Sequence, residues 1–408
     1  MDNLSHSVAG LAAGELLHRS LPQEADQDRQ RLRRRLLLFT TWAASNFPDL
    51  DLVLTPVLPA PLGYLLHHRG HTHTLLYAIP QALLLWGLIL LLWPNARRLL
   101  DASAASRKGF LAALSIGLVL HLSMDFLNSY GIHPFHPFDS RWLYGDMVFI
   151  LEPVFWIVFG VPLAMMMPLV LRMLFIAALV AVPAYFSTKG FLHWSSLAIL
   201  AALAFIAGFT QYRTRPGGRR GLATAFALAV AFIAVQGVAS WNAGRVVAET
   251  LFQKDRASRM LDVALTPFPT NPLCWTFVSI ESDPRAGKYA LRRGVLSLSP
   301  ALIPLDRCPA SRWGDALPPD ASKSIAFYST EVADLHTLRA LKDGNCHFEA
   351  WMRFSRAPSI GATSATDLRY GPAWQQNFTT MDFESFRKLD CPRYVPRWQF
   401  PRSDLLGP

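Results

Sequence analysis

Charge is scarce in this sequence. Asp, Glu, Lys and Arg make up 17% of its 408 residues and hydrophobic residues 51%, whereas an average soluble chain is about 25% charged. That deficit excludes a wholly soluble protein and points to lipid. Cysteine is confined to the last third, at Cys274, Cys308, Cys346 and Cys391, so the apolar part offers no thiolate. An even number within one polar region fits up to two disulfides in an oxidising compartment, and it equally fits four free thiols. Also missing are a basic n-region before a cleavable signal, a lipidation motif and any internal repeat. No serine or cysteine sits in an elbow motif, so no covalent intermediate is expected.

The 39 Lys and Arg against 29 Asp and Glu give a net charge of +10, which alone would permit nucleic-acid binding. The arginines, however, cluster between apolar runs, as orientation signals do, and a nucleic-acid partner is discounted. Mostly apolar windows long enough to span a bilayer fall at 77–94, 109–130, 147–167, 168–186, 193–212 and 221–243. A seventh at 36–58 carries Asp49 and Asp51, and an eighth at 4–20 carries His6, Glu15 and His18. The expected fold is mainly α: a polytopic membrane bundle of seven to eight apolar helices, residues 1–245. A small α+β extramembrane domain, 246–408, follows it.

Arginines at 19–35, 97–107 and 213–220 mark three cytoplasmic loops. Residues 59–76, 131–146 and the C-terminal domain then face outward, which agrees with the cysteine reading. The Arg-rich segment 22–35 reads as a solvated helix at the headgroups. Trp275–Ile280 and Tyr289–Leu298 read as strands, and Glu331–Lys342 as a helix.

Ionisable residues inside apolar segments are costly and face a cavity, a partner or an ion. Here they gather in four motifs. Asp2 to His6 precedes the small-residue pattern Gly10-Leu11-Ala12-Ala13-Gly14, which permits close helix approach. Pro48-Asp49-Leu50-Asp51 fits either a helix end or a carboxylate pair for a metal. His67-His68-Arg69-Gly70-His71-Thr72-His73 places four imidazoles beside a guanidinium suited to phosphate, and also fits a pH-sensitive or anion-binding loop. His121 and Asp125 lie four apart on one helix face, extended by Asn128, with His133 and His136 just beyond. Asp146 and Glu152 stand at the start of the next span. Mixed imidazole and carboxylate donors favour zinc first, then manganese or iron.

The ordered set D-x-x-x-H, P-D-x-D, H-R-G-x-T-H-[ST] and H-x-x-x-D followed by a glycine turn resembles the YdjM-like membrane-bound metal-dependent hydrolases of bacteria. The corresponding residues are Asp2 and His6; Pro48, Asp49 and Asp51; His68 to Thr74; and His121, Asp125 and Gly131. The resemblance covers residues 1–155. It departs at His71, where the family has an aromatic residue, and at Glu152, where it has aspartate. The His121-x-x-x-Asp125 helix is also similar to the ligand helix of zinc-dependent phospholipase C and P1-type nucleases. These resemblances imply an inner-membrane hydrolase acting on a lipid or lipid-linked phosphoester.

The metal ligands are then expected to be His6, Asp49, Asp51, His68, His73, His121 and Asp125. Arg69 would stabilise developing charge, with Asp146 or Glu152 as general base or orienting group. Two other readings use the same residues: a metal- or proton-coupled transporter, and a membrane anchor whose periplasmic domain binds an envelope partner. Nothing in the sequence specifies an oligomeric state.

Overall fold

In the computed structural model, residues 1–215, 217–308, 318 and 321–407 are described. Helix α1 (Asn3–Ser20) begins where the Asp2 side chain accepts the backbone N–H of Ser5 at 2.9 Å, and α2 (Gln27–Ala44) begins on the equivalent cap from Asp26. Side chains that are nearly absent let these helices touch. A Cβ added at Gly10 would lie 2.2 Å from Ser45 Oγ, and one at Gly14 would lie 2.3 Å from Thr41 Oγ1. The small-residue motif of α1 therefore packs directly on α2.

The chain then forms a 3-10 helix (Phe47–Val57), the short α3 (Leu62–His67) and a one-turn 3-10 helix (His71–His73). Helices α4 (Leu75–Leu92), α5 (Pro94–Ala102) and α6 (Ala104–Phe126) follow. A loop leads to α7 (Pro153–Ala164), α8 (Leu169–Thr188), α9 (Trp194–Arg213) and α10 (Arg220–Lys254). Five helices, α4, α6, α8, α9 and α10, are long and apolar enough to cross a membrane. With α1, α2 and the shorter α7 they make the helical membrane region anticipated from the hydropathy.

Two windows resolve differently. Residues 36–58 are no single helix, because α2 stops at Ala44 and the rest, bearing Pro48 and Pro56, winds as the 3-10 helix. The arginines at 29–35 form no separate surface helix either; they are the first turns of α2, with Arg33 buried against Glu24 at 2.9 Å. The arginine-bearing turns meet at one end of the bundle, where Arg19 donates to the Gly218 carbonyl.

Helix α10, at 35 residues, extends about 52 Å at 1.5 Å per residue, well beyond a hydrocarbon core of about 30 Å. It runs past position 245, and Ala243, Val247 and Leu251 pack with Leu265, Trp275, Phe277 and Leu296 of the following sheet. That sheet is an antiparallel meander of β1 (Arg259–Phe268), β2 (Asn271–Asp283), β3 (Lys288–Ser297) and β4 (Ile325–Asp334). The segment read as a helix from Glu331 is strand up to Asp334, whose side chain then caps α11 (Leu335–Gly344). Helix α12 (Cys346–Met352) and a second sheet of β5 (Pro358–Ile360), β6 (Ser364–Asp367) and β7 (Met381–Asp382) complete the domain.

The sheet domain does not own its core alone. Leu62, Leu65 and Leu66 of α3, with Leu58, Tyr130 and Trp142 from the adjoining loops, are buried in one cluster with Ile280, Phe348, Trp351, Phe354 and Trp398. Burial of this kind contributes about 1.5–3 kcal/mol per large side chain and fixes the loops that carry the candidate site.

The cysteines pair as Cys274–Cys308 and Cys346–Cys391, separated by 34 and 45 residues. Loops of that size are worth about 4 kcal/mol each in the chain-entropy description. Thiol titration of unfolded, unreduced protein is therefore expected to find no reactive thiol. Four thiols would show that the domain matures in a reducing compartment.

Candidate metal centre

Four segments meet where the bundle joins the sheet domain: the start of the Phe47–Val57 helix, the His68–His73 turn, the end of α6 and the start of α1. Asp49, His73, His121 and Asp125 are all buried and each offers one donor atom, all within 4.8 Å of one another. His121 and Asp125, one turn apart on α6, face the same way as their spacing requires. The Nδ1 of His121 lies 2.8 Å from the Ser45 carbonyl. Donation to that carbonyl turns Nε2 inward, where it sits 2.9 Å from His73 Nε2.

His73 Nε2 is 3.0 Å from Asp125 Oδ2 and 3.5 Å from Asp49 Oδ1. His121 Nε2 is 3.5 Å and 3.6 Å from the same two oxygens. Two buried imidazole nitrogens facing each other across two carboxylate oxygens form a donor set of the kind that holds a cation. Charge leads to the same conclusion. The three buried carboxylates Asp49, Asp51 and Asp125 face two buried cations, the Arg69 guanidinium and the Met1 ammonium, both in contact with Asp125, so with neutral imidazoles the cluster carries an excess of negative charge. Burial pushes the His73 imidazole down, but hydrogen bonds with Asp125, Asp49 and Asp51 prevail and push it up to about 10. The cluster thus draws positive charge to its centre.

Three residues expected among the ligands surround this group of four. Asp51 lies behind the imidazoles: Oδ1 is 3.0 Å from His68 Nδ1, and Oδ2 accepts from the Arg69 N–H and the Thr72 hydroxyl and lies 3.3 Å from His73 Nδ1. Those contacts orient two histidines and a loop, as carboxylates behind metal-binding imidazoles do. His68 is held by Asp51. His6 stacks on His121 with centroids 4.2 Å apart and reaches Asp125 Oδ1 at 3.3 Å. Asp2, besides capping α1, accepts from Trp156 Nε1.

Arg69 is in the left-handed region at φ 57°, a conformation that costs a non-glycine residue energy and that the surrounding contacts hold in place. Its Nη2 donates to Asp125 Oδ1 at 2.9 Å and its Nη1 to Asn128 Oδ1 at 3.1 Å. The guanidinium lies 4.7 Å over the Tyr130 ring, while Nε is buried with no hydrogen-bond partner. It therefore supports Asp125 and leaves one buried donor unpaired among the described residues.

Asp146 and Glu152 are engaged elsewhere. Both Asp146 oxygens accept from Arg356, at 2.9 and 2.7 Å. Glu152 caps α7 through the Val154 N–H and accepts from the Thr270 N–H and hydroxyl in the β1–β2 turn. Both carboxylates pin the bundle to the sheet domain. His71, His133 and His136 also lie apart from the four, ringed around Trp398 at centroid distances of 5.8, 4.3 and 6.3 Å.

Sequence reasoning missed the supports contributed from afar. Arg369 donates to the Ser129 carbonyl at 2.8 Å, bracing the loop whose Tyr130 underlies Arg69. Ser45 contributes a carbonyl, which no side-chain motif could reveal.

The model of a family described as YdjM inner membrane protein matches residues 1–243, a stretch that contains all four donors, Arg69 and the orienting Asp51. The uncharacterized protein YfhP of Bacillus subtilis (strain 168) is 29% identical over 157 residues, which is 38% of this chain and 43% of that protein. The chain thus spans less than half of that relative's length. No solved structure matches. With more than half of its length matched by the family model and the four-donor cluster inside that stretch, the chain belongs to the YdjM inner membrane protein family.

Proposed function

We propose that this is a membrane-bound, metal-dependent hydrolase of a lipid or lipid-linked phosphoester, with its site and sheet domain on the periplasmic side. The observation that carries the reading is the buried Asp49–His73–His121–Asp125 group with the buried Arg69 guanidinium bonded to one of its carboxylates. Its mixed imidazole and carboxylate donors suit zinc first, and manganese or iron next. When bound, such an ion supplies an acidified water and a Lewis acid for the phosphoryl oxygen.

The chain's own residues do the rest. Asp51 takes the Nδ1 proton of His68 into a hydrogen bond, which leaves Nε2 as an acceptor for the proton of the attacking water. Arg69, fixed by Asp125 and Asn128 beside the four donors, supplies positive charge to anionic oxygen bound there. Asp146 and Glu152 hold the sheet domain in register over the site. The two disulfides and the arginine loops at the opposite end support the periplasmic placement.

The test is hydrolysis of phosphodiesters by metal-loaded, detergent-purified protein, with two variants alongside. Arg69→Ala is expected to keep its metal and lose about 10²–10³-fold in turnover. His68→Gln is expected to keep its metal and lose about 10²–10⁴-fold. Loss of metal from either variant would move that residue from chemistry to ligand support. A phosphatase reporter fused behind the sheet domain should be active, and a silent one would reverse the topology.

A further inference from the structure

The Phe47–Val57 helix has two unlike faces. Asp49 and Asp51 are 7% and 3% exposed, whereas Leu50 and Val53, in the same turns, are 57% and 75% exposed. Leu52, Leu54 and Val57 are exposed as well, and residues 52–66 contain no charged side chain and no histidine. The one hydroxyl in the exposed run, Thr55, is satisfied by the Leu52 carbonyl at 2.9 Å. A water-facing loop has no need to hide its polar groups, whereas a segment in lipid must satisfy them internally.

The apolar face adjoins exposed apolar surfaces of two neighbouring helices. At the same end of the bundle α2 exposes Phe39 and Trp42, and α4 exposes Leu75, Leu76 and Ile79. Helix α4 is long and apolar enough to cross a membrane, and its apolar window is only 11% buried. Trp42 lies where interfacial aromatic residues collect.

We propose that the Phe47–Val57 helix is immersed in the leaflet nearest the sheet domain, with Leu50, Val53, Leu54 and Val57 among the acyl chains. The metal centre then takes a lipid phosphate laterally from that leaflet. The lipid-facing Leu50 directly follows Asp49 in the chain, so a headgroup phosphate reaches the cluster while its chains stay in hydrocarbon. The identity of what reaches the ions rests on the hydrolase reading; the immersion does not.

The immersion is tested by nitroxide labels on Val53→Cys, and separately on Leu54→Cys, in the full chain, whose native cysteines are paired. The protein is reconstituted in phosphatidylethanolamine and phosphatidylglycerol vesicles, and collision with oxygen and with a water-soluble nickel chelate is measured. Leu91→Cys on α4 is the lipid reference, and Tyr394→Cys on the sheet domain the aqueous one. Both test positions should match Leu91, with oxygen collisions exceeding nickel collisions. Nickel-dominated collisions, as at Tyr394, would overturn the proposal, and so would low collision with both reagents, which marks a protein partner.

For the lateral route, Val53→Asp with its metal retained should hydrolyse vesicle lipid at least tenfold more slowly than wild type. The same variant should cleave the soluble bis(p-nitrophenyl) phosphate at the wild-type rate. Equal loss on both substrates, or none on either, would overturn the route. Wild type inactive on both would contradict the hydrolase reading and the route together, leaving immersion to stand on the label data alone.

Discussion

His73→Ala is expected to empty the metal site and reduce hydrolysis by at least about 10³-fold, the scale on which removing a principal charge-stabilising group acts. His73 is the hub of the cluster: its Nε2 faces Asp49, Asp125 and His121, and its Nδ1 faces Asp51. Alanine there leaves three buried carboxylates around a vacated centre, balanced by Arg69 and the Met1 ammonium on Asp125 but by nothing at Asp49 and Asp51 of comparable charge among the described residues. Assaying metal content and phosphodiesterase turnover on the same preparation checks the claim. A variant that keeps both would place the site elsewhere.

Arg356→Ala is expected to destabilise the protein by about 3–5 kcal/mol, the cost of leaving buried charge without its partner. One guanidinium joins three parts of the molecule. It donates to both oxygens of Asp146 from the bundle, to both oxygens of Asp262 in β1, and lies 4.0 Å over Tyr144. Lysine cannot replace this planar fork, so Arg356→Lys should recover only part of the loss. Thermal unfolding in detergent gives the magnitude, and an unchanged midpoint would mean that the domains dock without this pair.

The same junction has a pH signature. Burial pushes the Asp262 carboxyl up, but Arg356 and Arg402 prevail and hold it well below the usual carboxylate range. A depressed folded value means that its stabilisation is present above the ordinary 3.8 and is lost as pH falls below it. The Asp262 contribution should therefore fall away on acidification below about pH 4, opposed by Asp146, whose carboxyl is pushed up by burial despite the same arginine, and Asp262→Asn should remove it.

Much of the site was legible because helix spacing is a strong constraint. His121 and Asp125 had to share a face, and both are donors. The sequence could not rank chemically identical neighbours: whether Asp49 or Asp51, His68 or His73 points inward depends on the 3-10 turn and on the left-handed Arg69. Hydropathy counted 36–58 as one apolar window because composition does not distinguish a spanning helix from a segment lying at its end. The bundle's attachment to the sheet domain was out of reach for another reason. Arg356 and Asp146 are 210 residues apart, and no local pattern announces such a pair. For Asp146 and Glu152, carboxylates near the mouth of a span, the sequence left a general base and an orienting group both open, because position along the chain does not show that Arg356 and Thr270 are their partners.

The central claim is that Asp49, His73, His121 and Asp125 bind a divalent metal ion. Elemental analysis of detergent-purified wild type beside the His121→Ala, Asp125→Ala double variant tests it most directly. The account predicts stoichiometric zinc, manganese or iron in wild type and its loss from a double variant that still inserts into the membrane. A stable wild-type protein that is free of metal and takes up none when zinc, manganese or iron is added would contradict it.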